Sequence, residues 1–136
     1  RSAGLTLTID AGVVIEFAAG CSLYLDGTLT ASGTAAHPIV FRPQIASAPW
    51  GQLILSASGA PAVFSNGTFV NGTALQHCVL ERGGSGATAA LSVAVAAYLN
   101  AVSVVGSASH GIILTSSATI QGGNFSSNTL NGIFVP

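Results

Sequence analysis

Few residues in this 136-residue chain can do acid–base, nucleophilic or metal chemistry. The carboxylates are Asp10, Glu16, Asp26 and Glu81, the histidines His37, His77 and His110, and the thiols Cys21 and Cys78. Glycoside hydrolysis needs two carboxyl groups about 5 to 10 Å apart across the scissile bond. The spacing here offers no ready pair. Asp10 and Asp26 stand in "IDAG" and "LDG", where the expected role is a turn residue bonding its own backbone. Glu16 falls between Ile15 and Phe17, which puts it on the outer side of a strand. Glu81 and Arg82, in "ERGG", are the best chemical candidates. They end a strand before a glycine turn, and as strand neighbours they are expected on opposite faces. The same divergence separates His77 from Cys78. His110 is expected at a turn or edge. No zinc spacing, nucleophile elbow or phosphate loop is present. The reading is therefore no catalytic residue, no metal and no cofactor.

What must position these residues follows from composition and period. Hydrophobic residues make up 49% of the chain and charged residues 5%, with a net charge of −1. Globular domains carry roughly 25% charge. The fixed charges are Arg1, Asp10, Glu16, Asp26, Arg42, Glu81 and Arg82, and there is no lysine. The surface must then be built of Ser, Thr, Asn, Gly and Ala, which suits a sheet with stacked neighbours better than an isolated soluble monomer. Phosphate binding needs clustered Lys and Arg, so nucleic acid is an unsuitable partner. Polar residues interrupt every apolar run short of the roughly 18 residues of a membrane span. The opening "RSAGLTLTID" lacks the apolar segment of a signal peptide, and a start on Arg without Met suggests a processed or excised chain.

The chain repeats. Gly132 laid over Gly111 sets Ile133 on Ile112, and the same step of 21 residues sets Ile112 on Leu91, Leu114 on Val93, Ile120 on Leu99, Phe125 on Val104 and Asn131 on His110. Within each unit the apolar period is two, which predicts strands. Looser spacing continues upstream, with Ile15/Phe17 set on Ile39/Phe41 and Leu23/Leu25 on Leu53/Leu55. Excess residues fall in "RPQIASAP" before Trp50 and around "SNGTFVNGT" (65–73). About five coils of three short strands follow, a parallel β-solenoid over 1–136 in which stacking at about 4.8 Å per coil builds one core. Cys78 shares a column with Val102 and should point inward. Cys21 sits about two coils away, roughly 10 Å, so two free thiols are expected.

"LTIDAGVVIEFAAGCSLYLDGTLTASGTAAHPIVFRP", followed by "WGQLIL", resembles the opening coils of right-handed parallel β-helix proteins of the pectate-lyase-like type. "ALQHCVLERGG" and "SASHGIILTSSATIQGGNFSSNTLNGI" resemble their middle coils. The resemblance implies an all-β, right-handed parallel β-helix. It also implies that an enzyme of this type would act on acidic polysaccharides, with calcium held by several carboxylates or with neighbouring Asp residues as acid and base. The four scattered carboxylates do not supply such a cluster.

The surface remains. Asn66-Gly-Thr, Asn71-Gly-Thr and Asn124-Phe-Ser are glycosylation sequons, the first two in the inserted segment, the third expected to face outward opposite Ser103. Neither end of the chain reads as a cap. The leading expectation is a non-enzymatic structural or adhesive module outside the cell. It is either a segment of a longer solenoid or a subunit that stacks with copies or neighbouring chains through open ends. The alternative is a polysaccharide-binding or polysaccharide-processing module, which requires a groove with Trp50, Glu81 or Arg82 as surface contacts. Thr6/Thr8 and Thr28/Thr30 hint at ice-binding ranks that later coils do not sustain.

Overall fold

The computed structural model describes residues 5–136; Arg1, counted among the charges above, lies outside them. The described residues form sixteen strands and no helix. β1 (Thr6–Asp10), β4 (Thr28–Ser32), β9 (Ala74–Gln76), β12 (Tyr98–Asn100) and β15 (Thr119–Gln121) make one parallel sheet, called A. β2 (Val14–Phe17), β5 (Ile39–Pro43), β10 (Cys78–Glu81) and β13 (Ser103–Val105) make a second, B, which a parallel bridge from Ser103 to Asn124 extends. β3 (Leu23–Leu25), β6 (Leu53–Leu55), β11 (Ala89–Val93), β14 (His110–Leu114) and β16 (Ile133–Phe134) make the third, C. β7 (Val63–Ser65) and β8 (Thr68–Asn71) form a separate antiparallel hairpin between β6 and β9. The chain thus visits A, B and C in rotation, and consecutive visits to a sheet lie side by side.

Alternation decides which side chains form the core. In sheet A, Ile9, Ala31, Leu75, Leu99 and Ile120 succeed one another across the strands. Sheet B contributes Ile15, Phe41, Leu80 and Val104, and sheet C contributes Leu23, Leu53, Leu91, Ile112 and Ile133. The middle members of each ladder are fully buried. A single three-residue strand buries too little to stand alone, but stacking joins the ladders into one hydrophobic cluster.

The step of 21 residues holds in the later strands, as the pairs Leu91–Ile112, Ile112–Ile133, Leu99–Ile120 and Ser103–Asn124 show. One upstream alignment changes. Ile15 and Phe17 lie opposite Phe41 and Pro43, two residues later than the expected Ile39 and Phe41. A two-residue slip keeps every side chain on its face, so apolar patterning alone cannot detect it.

Corners between sheets are made by single residues with left-handed backbone. His77, Ala101 and Gly122 each follow paired residues of sheet A and have φ of 50°, 54° and 64°. Arg82 and Gly106 do the same after sheet B, at 53° and 70°, and Ser127, at 58°, follows Ser126, whose carbonyl accepts from Gly106 N. A non-glycine residue adopts this conformation only where its surroundings impose it. Here the ladder bonds on both sides do so, for instance His77 N donating to Asn100 O at 2.9 Å and Arg82 N to Val105 O at 2.9 Å.

Candidate functional site

Four of the six fixed charges among the described residues gather on the outer side of sheet B. Glu16 lies opposite Arg42 across neighbouring strands, and Glu81 follows Leu80, which pairs with the residue before Arg42. Arg42 Nε donates to Glu16 Oε2 at 3.1 Å, with both side chains nearly half exposed. Arg82 Nη2 reaches Glu81 Oε2 at 3.4 Å. That contact corrects the expectation of opposite faces. Arg82 lies just outside the strand, and its left-handed φ turns its side chain back beside Glu81. The result is a row of carboxylates and guanidiniums on the outer face, with Glu81 partly covered. Glu16 and Glu81 lie two strand steps apart, roughly 9.6 Å, with Arg42 between them. That backbone spacing brings both carboxylates to one face, but an exposed, ion-paired surface gives a substrate no enclosure.

Trp50 departs from its expected role as a surface contact. It is fully buried, stacks on Phe17 with ring centroids 4.4 Å apart, and donates from Nε1 to the Glu81 carbonyl at 2.7 Å. The loop carrying it tucks the indole under the corner after β10. Gly83 leaves room for the ring there, because a Cβ at that position would lie 3.0 Å from Trp50 Cε2. "ERGG" is therefore a corner folded around a tryptophan, with its charges left on the outside.

Asp26 also differs from expectation. It does not close its own turn; its Oδ1 accepts from Ser56 Oγ at 3.2 Å and from Ser58 Oγ, in the next circuit of the chain. The partners lie 30 and 32 residues away, and local sequence cannot show them. His110 stacks on Phe134 at 4.4 Å, and its Nδ1 accepts the Asn131 N–H at 3.1 Å. Thr6 and Thr8 stand directly opposite Thr28 and Thr30, but the next strand places Ala74 opposite Thr30.

Both cysteines are unpaired, Cys21 exposed and Cys78 buried. Burial pushes the Cys78 thiol up to about 12, partly opposed by its bond to the Gln76 carbonyl. Such a thiol is protonated and inert as a nucleophile or metal ligand. No group of three or more His, Cys, Asp or Glu capable of holding a metal occurs among the described residues. An open concavity of about 370 Å³ lies between Leu114–Ser117 and Val135–Pro136, and no titratable side chain lines it.

Compared with known proteins, the chain matches no family model, no curated protein and no solved structure.

The feature that sequence reading missed is the β7–β8 hairpin. Its turn is Asn66-Gly67, both with positive φ, the type I′ geometry that Asn-Gly favours. That dipeptide, between Phe64-Ser65 and Thr68-Phe69, was the available signal. Phe64 and Phe69 pair across the hairpin and both pack on Tyr98, at 5.3 and 5.2 Å, so that Tyr98 is only 8% exposed. Asn66, Asn71 and Asn124 are all exposed.

Proposed function

We propose that this chain is a right-handed parallel β-helix of the pectate-lyase-like type that serves as a non-enzymatic structural or adhesive module outside the cell. It associates through its open ends with further coils of the same kind. The rotation through three parallel sheets, each turning buried apolar ladders inward, supports the solenoid. The observation that carries the role is what happens where the ladders run out. Ile133, in the column of fully buried Leu91 and Ile112, is 39% exposed, and Val135 beyond it is 67% exposed. At the opposite edge Leu7, Ile15 and Leu23 are only partly buried. An apolar column ending at an unpaired strand edge is a template for another strand. A strand of a second copy laid on this edge would extend the ladder.

The exposed sequons fit a secreted surface protein, with glycans on Asn66 and Asn71 compensating for scarce charge. Intact mass before and after glycosidase treatment of protein from a eukaryotic secretory host tests this. For association, negative-stain microscopy and light scattering across a concentration series are decisive. Filaments or concentration-dependent oligomers are expected; monodisperse particles at every concentration overturn self-stacking. The polysaccharide alternative loses its aromatic platform with Trp50 in the core, and retention on polysaccharide affinity gels would reinstate it.

A further inference from the structure

We propose that Asn66 is a site of spontaneous backbone chemistry, at which the hairpin tip converts to aspartate and isoaspartate while the fold slows the same step at the other Asn-Gly pairs. The sequence contains Asn66-Gly67, Asn71-Gly72 and Asn131-Gly132. All three lack a side chain on the residue whose amide must attack, so sequence alone does not rank them.

The step is intramolecular. The glycine amide loses its proton to a solvent base, and its nitrogen bonds to the asparagine Cγ. The Cγ–Nδ2 bond breaks and Nδ2 leaves as ammonia, taking a proton from solvent. The succinimide ring then adds water. Opening at Cγ returns the normal main chain with an aspartate; opening at the α-carbonyl carbon routes the main chain through Cβ, giving isoaspartate. No oxidant or reductant enters, and water is the one co-reactant. The requirement is a backbone free to swing the glycine nitrogen onto Cγ.

The structure meets that requirement at one pair. Asn131 donates its N–H to His110 Nδ1 at 3.1 Å and accepts from Gly111 N at 2.9 Å, and the Gly132 carbonyl accepts from Ile112 N at 2.9 Å. A Cβ at Gly132 would lie 2.4 Å from Phe125 O, so the chain there is wedged as well as bonded. At the second pair the Gly72 carbonyl accepts from Thr30 Oγ1 at 3.1 Å, and Thr73 N donates to Ala60 O at 2.9 Å. A Cβ at Gly72 would lie 2.0 Å from Pro61 O. Around Gly67 nothing lies within 4 Å of such a Cβ, and Asn66 is exposed at the tip of a two-stranded ribbon. A ribbon tip opens locally at far lower cost than a residue bonded into a ladder.

The product has a structural consequence. Isoaspartate adds a main-chain carbon to a two-residue turn whose geometry sets Phe64 opposite Phe69. Both rings cover Tyr98, so conversion loosens that cover and adds one negative charge to a chain of net −1.

The test uses the full 136-residue chain from a bacterial host, so that no glycan blocks Asn66. It is incubated in mildly alkaline buffer, then peptide-mapped by mass spectrometry with enzymatic methylation to detect isoaspartate. Conversion at Asn66 is expected to outrun Asn71 and Asn131 by about tenfold or more, the ratio that roughly 1.4 kcal/mol of local opening free energy imposes. In denaturant the three rates should converge. Asn66→Gln should abolish the fast phase and leave the folded signal intact. Asn71 or Asn131 converting as fast as Asn66 in the folded chain overturns the proposal, as does an unreactive Asn66 in a chain whose denatured form converts at all three.

Discussion

Truncating two residues of the same ladder tests the packing directly. Leu91 and Ile133 both belong to the inward column of sheet C, separated by Ile112, but Leu91 is 0% and Ile133 39% exposed. Either change to alanine removes three carbons, about 2.4 kcal/mol at roughly 0.8 kcal/mol per buried group. At Leu91 the vacated space is closed on all sides, and the cavity raises the total to about 3–4 kcal/mol. At Ile133 roughly three-fifths of the surface is covered and the space opens to solvent, which leaves about 1.5 kcal/mol. Urea unfolding of dilute protein measures both, and the midpoints should differ while the slopes agree. An Ile133→Ala cost equal to that of Leu91→Ala under dilute, monomeric conditions would refute the reasoning. If copies stack over this edge, the Ile133 penalty should grow with protein concentration, because association stabilises by mass action.

Other consequences follow from the same contacts. One thiol, Cys21, should react with a disulfide reagent in the folded protein, and Cys78 only after unfolding; two fast thiols in the native state would contradict its burial. Because the folded Cys78 thiol lies at about 12 against an ordinary 9.0, its contribution is fully present below pH 9 and declines as pH rises towards 12. Cys78→Ala should flatten that part of the stability profile relative to wild type. Gly83→Ala should cost about 1–3 kcal/mol by forcing Trp50 or Ala90 to move, and should shift tryptophan fluorescence. Arg42→Ala, which removes the exposed partner of Glu16, should cost less than about 1 kcal/mol and still less at high salt.

The regular strands were legible because each has a period of two and later circuits share one length. Leu91, Ile112 and Ile133 align from sequence as they pair in space. Legibility failed where the determining contact lies across circuits or outside the strand pattern. Phe17 and Phe41 could not fix the early register, since a two-residue slip preserves their face. Trp50 reads as a loop aromatic, and only the fold shows the Glu81 carbonyl and Phe17 ring that draw it inward. Glu81 and Arg82 read as strand neighbours, and the left-handed φ at Arg82 rejoined their charges. Asp26 finds its serines one circuit away. The hairpin was the one local miss, since Asn66-Gly67 announces its turn without distant information.

The shared 21-residue step of the last circuits bears on how such a chain can change in length. Duplicating residues 112–132 in the gene would insert a segment whose apolar positions, left-handed corners and ladder partners all fall in register with those on either side. Each duplication would add one strand to each sheet at a spacing of about 4.8 Å. Earlier strand pairs step by 22, 26 and 30 residues, and the extra residues lie between strands, as the β7–β8 hairpin does between β6 and β9. A 21-residue segment is therefore the addition that the ladders of these last strands take in register.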